Sequence, residues 1–200
     1  MGKGRLETFS DGVLAIILTI MVLEMKVPLG DDTLASLKPL VPVLISYILS
    51  FIYVGIYWHN HHHMLHASTQ VNGKTLWANT HLLFWLSLIP FASGWMGKNS
   101  FTTWPVVLYG FVLLMCAVAY YLLAKTLAKN HGQGSAIHKA VGQDTKGKIS
   151  LLIYVVGIGL CFVNPWLGFA MYSIVAAIWF IPNRRIEKRL DAMNPNEKNV

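Results

Sequence analysis

Histidines and one carboxylate stand where their types and spacing could do chemistry. His59-x-x-His62-His63, followed by His66, clusters imidazoles at the end of an apolar run. Imidazole is a good ligand for iron, zinc, copper and nickel, so a di-iron enzyme site or a metal-transport path is one reading. A plainer alternative is a hydrogen-bonded cluster at a membrane interface, with some pH sensitivity because histidine titrates near neutrality. The second cluster is Arg5-Leu6-Glu7-Thr8-Phe9-Ser10-Asp11-Gly12. It leads into the apolar stretch Val13 to Leu23, broken only by Thr19. An ionisable group at membrane depth is costly to hold, so Asp11 is a candidate functional residue. A helix cap at the cytoplasmic interface is the structural alternative for the same carboxylate, and the two roles are compatible.

Both clusters must be positioned by apolar helices. The chain has 200 residues, 54% hydrophobic and 12% charged, and a mean hydropathy of +0.50. A soluble domain carries about 25% charged residues. No Asp, Glu, Lys or Arg lies between Lys38 and Lys74, Lys74 and Lys98, Lys98 and Lys125, or Lys148 and Arg184. A helix needs roughly 20 apolar residues to span a bilayer. The first three gaps each hold one span, and the last holds two short ones turned at Asn164-Pro165, since proline disfavours helix just before it. A helix also satisfies its own backbone in lipid, and the alternating pattern of a barrel strand is absent. The expected architecture is therefore all-α, a single polytopic unit over 1–200 with six transmembrane helices near 4–26, 38–64, 76–96, 104–126, 148–163 and 165–182. A polar, glycine-containing loop at 127–147 and a charged tail at 183–200 complete it.

With six spans, Lys3, Arg5, Lys74, Lys125, Lys129, Lys139, Lys146, Lys148, Arg184, Arg185, Lys188, Arg189 and Lys198 fall on one side, and Lys26, Lys38 and Lys98 on the other. The positive-inside rule then places both termini, the loop and the tail in the cytoplasm. The same rule accounts for the net charge of +7 without nucleic acid as a partner. Asp11 interrupts the first apolar stretch and no small-residue cleavage site follows, so the segment reads as a span and not a signal peptide. Cys116 and Cys161 lie inside apolar runs and read as inert thiols.

At about 100° per residue, Gly12, Ile16, Thr19 and Leu23 share a stripe roughly 60° wide, with Ile20 at its edge. Asp11 points roughly 140° away from Ile16. On its own the stripe reads first as helix packing, with the wall of a pore as the alternative. If it faces a pore, the carboxylate faces neighbouring helices and needs a partner, because an unpaired buried charge is expensive. Candidates on the same side of the membrane are His59, His61, His62 and His63 from the second span, and Trp77, Asn79 and His81 from the third.

Arg5-x-x-x-Phe9-Ser10-Asp11, then Ala15-Ile16-x-x-Thr19, with the histidine-rich end of the second span and the six-span layout, resembles the endolysosomal potassium channel family, known in words as the transmembrane protein 175 family. The likeness is to its single-repeat bacterial branch and covers nearly the whole chain. It implies a cation channel preferring potassium to sodium, assembled as a homotetramer around a central pore lined by the first helix of each subunit. It also implies a plasma-membrane location, membrane lipid as surroundings, and monovalent cations as the permeant species, with no cofactor. By the same resemblance, Ile16 is the constriction, and Thr19, Ile20 and Leu23 line the pore. Arg5, Phe9, Ser10 and Asp11 form a packing and hydrogen-bond network.

A ring of four Ile16 side chains would make an ion shed part of its water, which potassium holds less tightly than sodium, and Thr19 hydroxyls would replace some of the lost oxygens. Val155-Val156-Gly157-Ile158-Gly159 is the nearest match to a carbonyl selectivity filter, but it lies inside the fifth span and reads as helix packing. The competing class is a di-iron membrane enzyme of the desaturase or hydroxylase type, or a metal-ion transporter. It is disfavoured because His81, His131 and His138 stand apart from the histidine box. No Walker loop, Gly-x-Ser-x-Gly or dinucleotide fingerprint appears.

Overall fold

A computed structural model describes residues 2–30, 33–68, 70–130 and 145–180. Among them there is no strand. The elements are α1 (Lys3–Leu23), a 3₁₀ segment (Leu34–Leu40), α2 (Val41–His66), α3 (Gly73–Ser87), α4 (Ile89–Lys98), α5 (Thr103–Asn130), α6 (Thr145–Leu160) and α7 (Pro165–Phe180). Three stretches are each long and apolar enough to cross a membrane: Lys3–Leu23, Leu34–His66 and Thr103–Asn130. The pair α3–α4 fills the place of a further span, and α6 and α7 are two short apolar helices. The charged tail and the centre of the polar loop lie outside the described residues.

Two expected helices differ in detail, both at prolines. The second span was expected from 38, yet α2 starts at Val41 behind a 3₁₀ turn that contains Pro39, with Pro42 in the first turn of the helix. Proline suits that first turn, where its missing amide has no intrahelical partner to lose. The third span was expected to be one helix over 76–96, and it is broken at Leu88. Pro90 cannot donate to Leu86, and its ring crowds that carbonyl. The Leu88 amide donates to the Trp85 carbonyl instead (3.2 Å), and regular bonding resumes with the Ala92 amide on Leu88 (3.0 Å).

The turn at Asn164-Pro165 is present. Asn164 Oδ1 accepts from the Trp166 amide at 2.9 Å and caps α7. A second turn, between α4 and α5, places Ser100 and Phe101 at φ 48° and 59°. Left-handed backbone costs a side-chain-bearing residue about 1–3 kcal/mol. Phe101 offsets this by burying its ring against Trp166 (4.7 Å) and Phe169 (4.8 Å).

The core runs through the middle of the bundle, where α3 packs on α5, α2 on α4, and α6 between α5 and α7. Lipid tails offer helices no hydrophobic reason to associate, so close packing and interhelical hydrogen bonds carry more of the work. The core is accordingly rich in tyrosine. The Tyr154 hydroxyl donates to that of Tyr53 (3.2 Å), which donates to the Tyr172 carbonyl (2.5 Å). Ser50 and Tyr109 share a bond of 2.9 Å. These contacts tie α2 to α5, α6 and α7. Cys116 and Cys161 are buried and unpaired with each other.

Candidate functional site

Helix α1 leans on α2, α3 and α4 with one face only. Leu6, Ser10, Leu14, Ile17 and Met21 are buried at the i, i+4, i+7 spacing of a helix packed against a bundle. The opposite stripe is uncovered and mostly apolar. Phe9 is 57% exposed, Ile16 59%, Ile20 45% and Leu23 75%, with Gly12 and Thr19 between them. Ile16, Thr19, Ile20 and Leu23 therefore share one outward face. The Thr19 hydroxyl donates to the Ile16 carbonyl at 2.9 Å. Its proton is thus engaged by its own helix, and only oxygen lone pairs are offered outward.

The inner face of α1 is fixed by a buried polar chain. The Asn79 amide donates from Nδ2 to Ser10 Oγ at 2.9 Å, and Ser10 donates to the Leu6 carbonyl at 2.8 Å. With its nitrogen turned to Ser10, Asn79 presents Oδ1 to His61, whose Nε2–H donates across 2.7 Å. Ser10, Asn79 and His61 are essentially inaccessible to solvent. One side chain from each of three helices is thereby satisfied by the others, as low-dielectric surroundings require.

Asp11 lies outside that chain. Its carboxylate is exposed on the flank of α1 and accepts from Trp58 Nε1 at 3.1 Å. Trp58 stacks on His62 (6.3 Å between ring centres), and His62 on His66 (6.1 Å). His59 and His63 are joined through their Nε2 atoms at 3.0 Å, one ring donating to the other. His81 is engaged within α3, accepting from Trp85 Nε1 at 2.9 Å, and Trp77 is 77% exposed. Arg5 and Phe9 stand on the outward side of α1 and not in the polar chain. Of the residues singled out in the sequence, the fold thus joins Ser10, Asn79 and His61. It gives Asp11 an indole partner rather than one of the candidates named for it.

Three residues of the arrangement were not among the site residues expected from the sequence. Trp58 directly precedes the histidine box and was not among the partners named for Asp11, although an indole N–H is a good donor to a carboxylate. Glu24 and Lys98 form an ion pair that fastens the far end of α1 to the end of α4. The signal was their position, since both fall beside loops expected on the same side of the membrane. Among the described residues, no three His, Cys, Asp or Glu side chains converge as metal ligands. His59, His62, His63 and His66 run along a single helix instead.

Comparison with known proteins gives consistent results. The model of a family described as endosomal/lysosomal potassium channel TMEM175 matches residues 5–90. A potassium channel of Chryseobacterium sp. (strain P1-3) is 52% identical over 190 residues, spanning 95% of this chain and 98% of that protein. A potassium channel of Streptomyces collinus (strain DSM 40733 / Tue 365) is 27% identical over 184 residues, 87% of this chain and 89% of that one. The fold is similar to the crystal structure of a lysosomal potassium-selective channel TMEM175 homolog from Chamaesiphon minutus. There the TM-score is 0.79 at 24% identity, over 90% of this chain and 96% of the other.

Proposed function

The chain belongs to the TMEM175 potassium channel family, and on that premise we propose that it is a potassium channel whose pore forms where α1 of four copies meets around one axis. It is a membrane channel subunit and not an enzyme. The observation that carries the pore assignment is the division of α1 into two faces. One face is bolted to its own subunit by Ser10–Asn79 at one end and Glu24–Lys98 at the other. The other face, from Phe9 through Ile16 to Leu23, is left uncovered by the described residues. A helix held at both ends with a whole face uncovered is suited to setting a fixed radius around an axis.

Ile16 is the narrowest ring in this reading. Four branched side chains exclude the outer hydration shell, so passage favours the ion that loses water at smaller cost, which is potassium over sodium. Thr19 follows one turn away, about 4.5 Å along the axis. Its hydroxyl proton is already spent on the Ile16 carbonyl, so its oxygen suits a cation. Four single hydroxyl oxygens coordinate less completely than stacked carbonyl rings, so the preference is moderate. Ile20 and Leu23 continue the lining. Potassium passes as the permeant ion and no cofactor takes part. The location is the plasma membrane with both termini cytoplasmic, supported by the distribution of lysine and arginine.

The test is flux from purified protein in liposomes, with subunit stoichiometry from cross-linking. Potassium efflux exceeding sodium efflux, together with a cross-linked tetramer, is the expected result. Absence of potassium flux, or a monomer that conducts, would end the proposal.

A further inference from the structure

Away from α1, the bundle encloses a cavity of about 290 Å³ between α2, α5, α6 and α7. Its wall includes Tyr57, Ala117, Tyr121 and Leu151, with Lys148 at its edge. Most of the polar side chains that reach the wall are already bonded, the Tyr57 and Tyr121 hydroxyls apart. Tyr154 and Tyr53 are bonded in series, and the Trp179 indole donates to Ser150 Oγ at 2.9 Å. Asn60 donates to the Ile56 carbonyl at 2.7 Å, and the Tyr120 hydroxyl donates to the Asn60 carbonyl at 3.4 Å. An occupant would find mostly aromatic faces and methyl groups, so the part that enters must be largely apolar. The space is many times what one water-sized group needs, so it has room for part of an acyl chain.

The mouth is chemically opposite. Lys148 is exposed, Lys125 is exposed one helical turn beyond Tyr121, and among the described residues of the wall there is no carboxylate. Basic side chains beside a gap between transmembrane helices attract anionic lipid headgroups. We propose that the cavity takes one acyl chain of an anionic phospholipid, with the phosphate held against Lys148. An apolar interior under a cationic rim selects that amphiphile over a zwitterionic lipid, and its two parts fix its orientation. This site is independent of the pore assignment.

The experiment is native mass spectrometry of the full-length protein titrated with phosphatidylglycerol, phosphatidylcholine or palmitate. The wild type is expected to retain one phosphatidylglycerol per chain and to hold the other two more weakly. K148Q removes one surface charge and should weaken phosphatidylglycerol about fivefold while leaving phosphatidylcholine unchanged. A117F fills the cavity and should abolish retention of phosphatidylglycerol. Equal retention of phosphatidylglycerol by wild type and K148Q would overturn the proposal whether or not A117F folds. Palmitate or phosphatidylcholine held as tightly as phosphatidylglycerol by the wild type would overturn it as well.

Discussion

Asn79 and Ser10 lie 69 positions apart in the chain and are joined by a buried hydrogen bond of 2.9 Å. That bond sets the rotation of α1 about its own axis, because Ser10 faces inward only when Ile16 faces outward. Replacing Asn79 with Leu strands the His61 N–H in an apolar interior. Interhelical hydrogen bonds in membranes contribute about 1–2 kcal/mol. A loss of that size is expected in a thermal or denaturant unfolding series in detergent. Ser10→Ala combined with Asn79→Leu should fall short of the sum of the two, since both remove the same bond.

Ile16→Asn exchanges the apolar ring for one that water can wet. Single-channel recordings in planar bilayers should show larger conductance and a weaker preference for potassium over sodium. Unchanged conductance and preference would place the constriction elsewhere.

Thr19→Val keeps the shape of the side chain and removes its oxygen. Because Thr19 lies on the uncovered face, folding stability should move by no more than about 0.5 kcal/mol. The reversal potential under bi-ionic potassium and sodium conditions should shift toward zero. A variant as selective as the wild type would remove Thr19 from the ion path.

Gly97 and Gly94 offer a contrast within one helix. A Cβ on Gly97 would come within 2.6 Å of Ser46 Oγ and 2.7 Å of Val43 Cα, and the latter is backbone. Gly97→Ala should therefore force α4 away from α2 and destabilise by about 1–3 kcal/mol. A Cβ on Gly94 meets only the carboxylate end of Glu24, at 3.2 Å. That group can swing aside, so Gly94→Ala should cost less. Melting temperatures measured side by side in one detergent decide it.

Glu24 and Lys98 are 35% and 46% exposed, so water screens their attraction. Lys98→Gln should lower stability by no more than about 1 kcal/mol, and the difference should shrink in high salt. The reciprocal exchange, Glu24→Lys with Lys98→Glu, should restore the wild-type melting temperature. Failure to restore it would mean that the position of each charge, and not their attraction, is what matters.

Much of the architecture is written in the gaps between charged residues, because a bilayer penalises charge so heavily that spans are marked by its absence. The division of α1 into two faces is likewise periodic, and the spacing of Gly12, Ile16, Thr19 and Leu23 displays it. The partners of that helix are less legible. The pairing of Asn79 with Ser10 depends on how α3 is rotated, and local sequence does not encode that rotation. Asp11 looked suited to a histidine because imidazole and carboxylate pair well. The fold turns His61 toward Asn79 instead, leaving the Trp58 indole to reach the carboxylate. The break at Leu88 was not anticipated, because a proline such as Pro90 in an apolar run is compatible with either a kinked or a divided helix.

That division has a mechanical meaning. The half of α1 that carries Ser10 is tethered to α3, and its far end to α4 through Glu24. Since α3 and α4 are separate rods joined at one residue, the two ends of α1 answer to different levers. A force that swings α4 would be felt at Leu23 before it reached Ile16, so in the proposed pore the two mouths need not widen together.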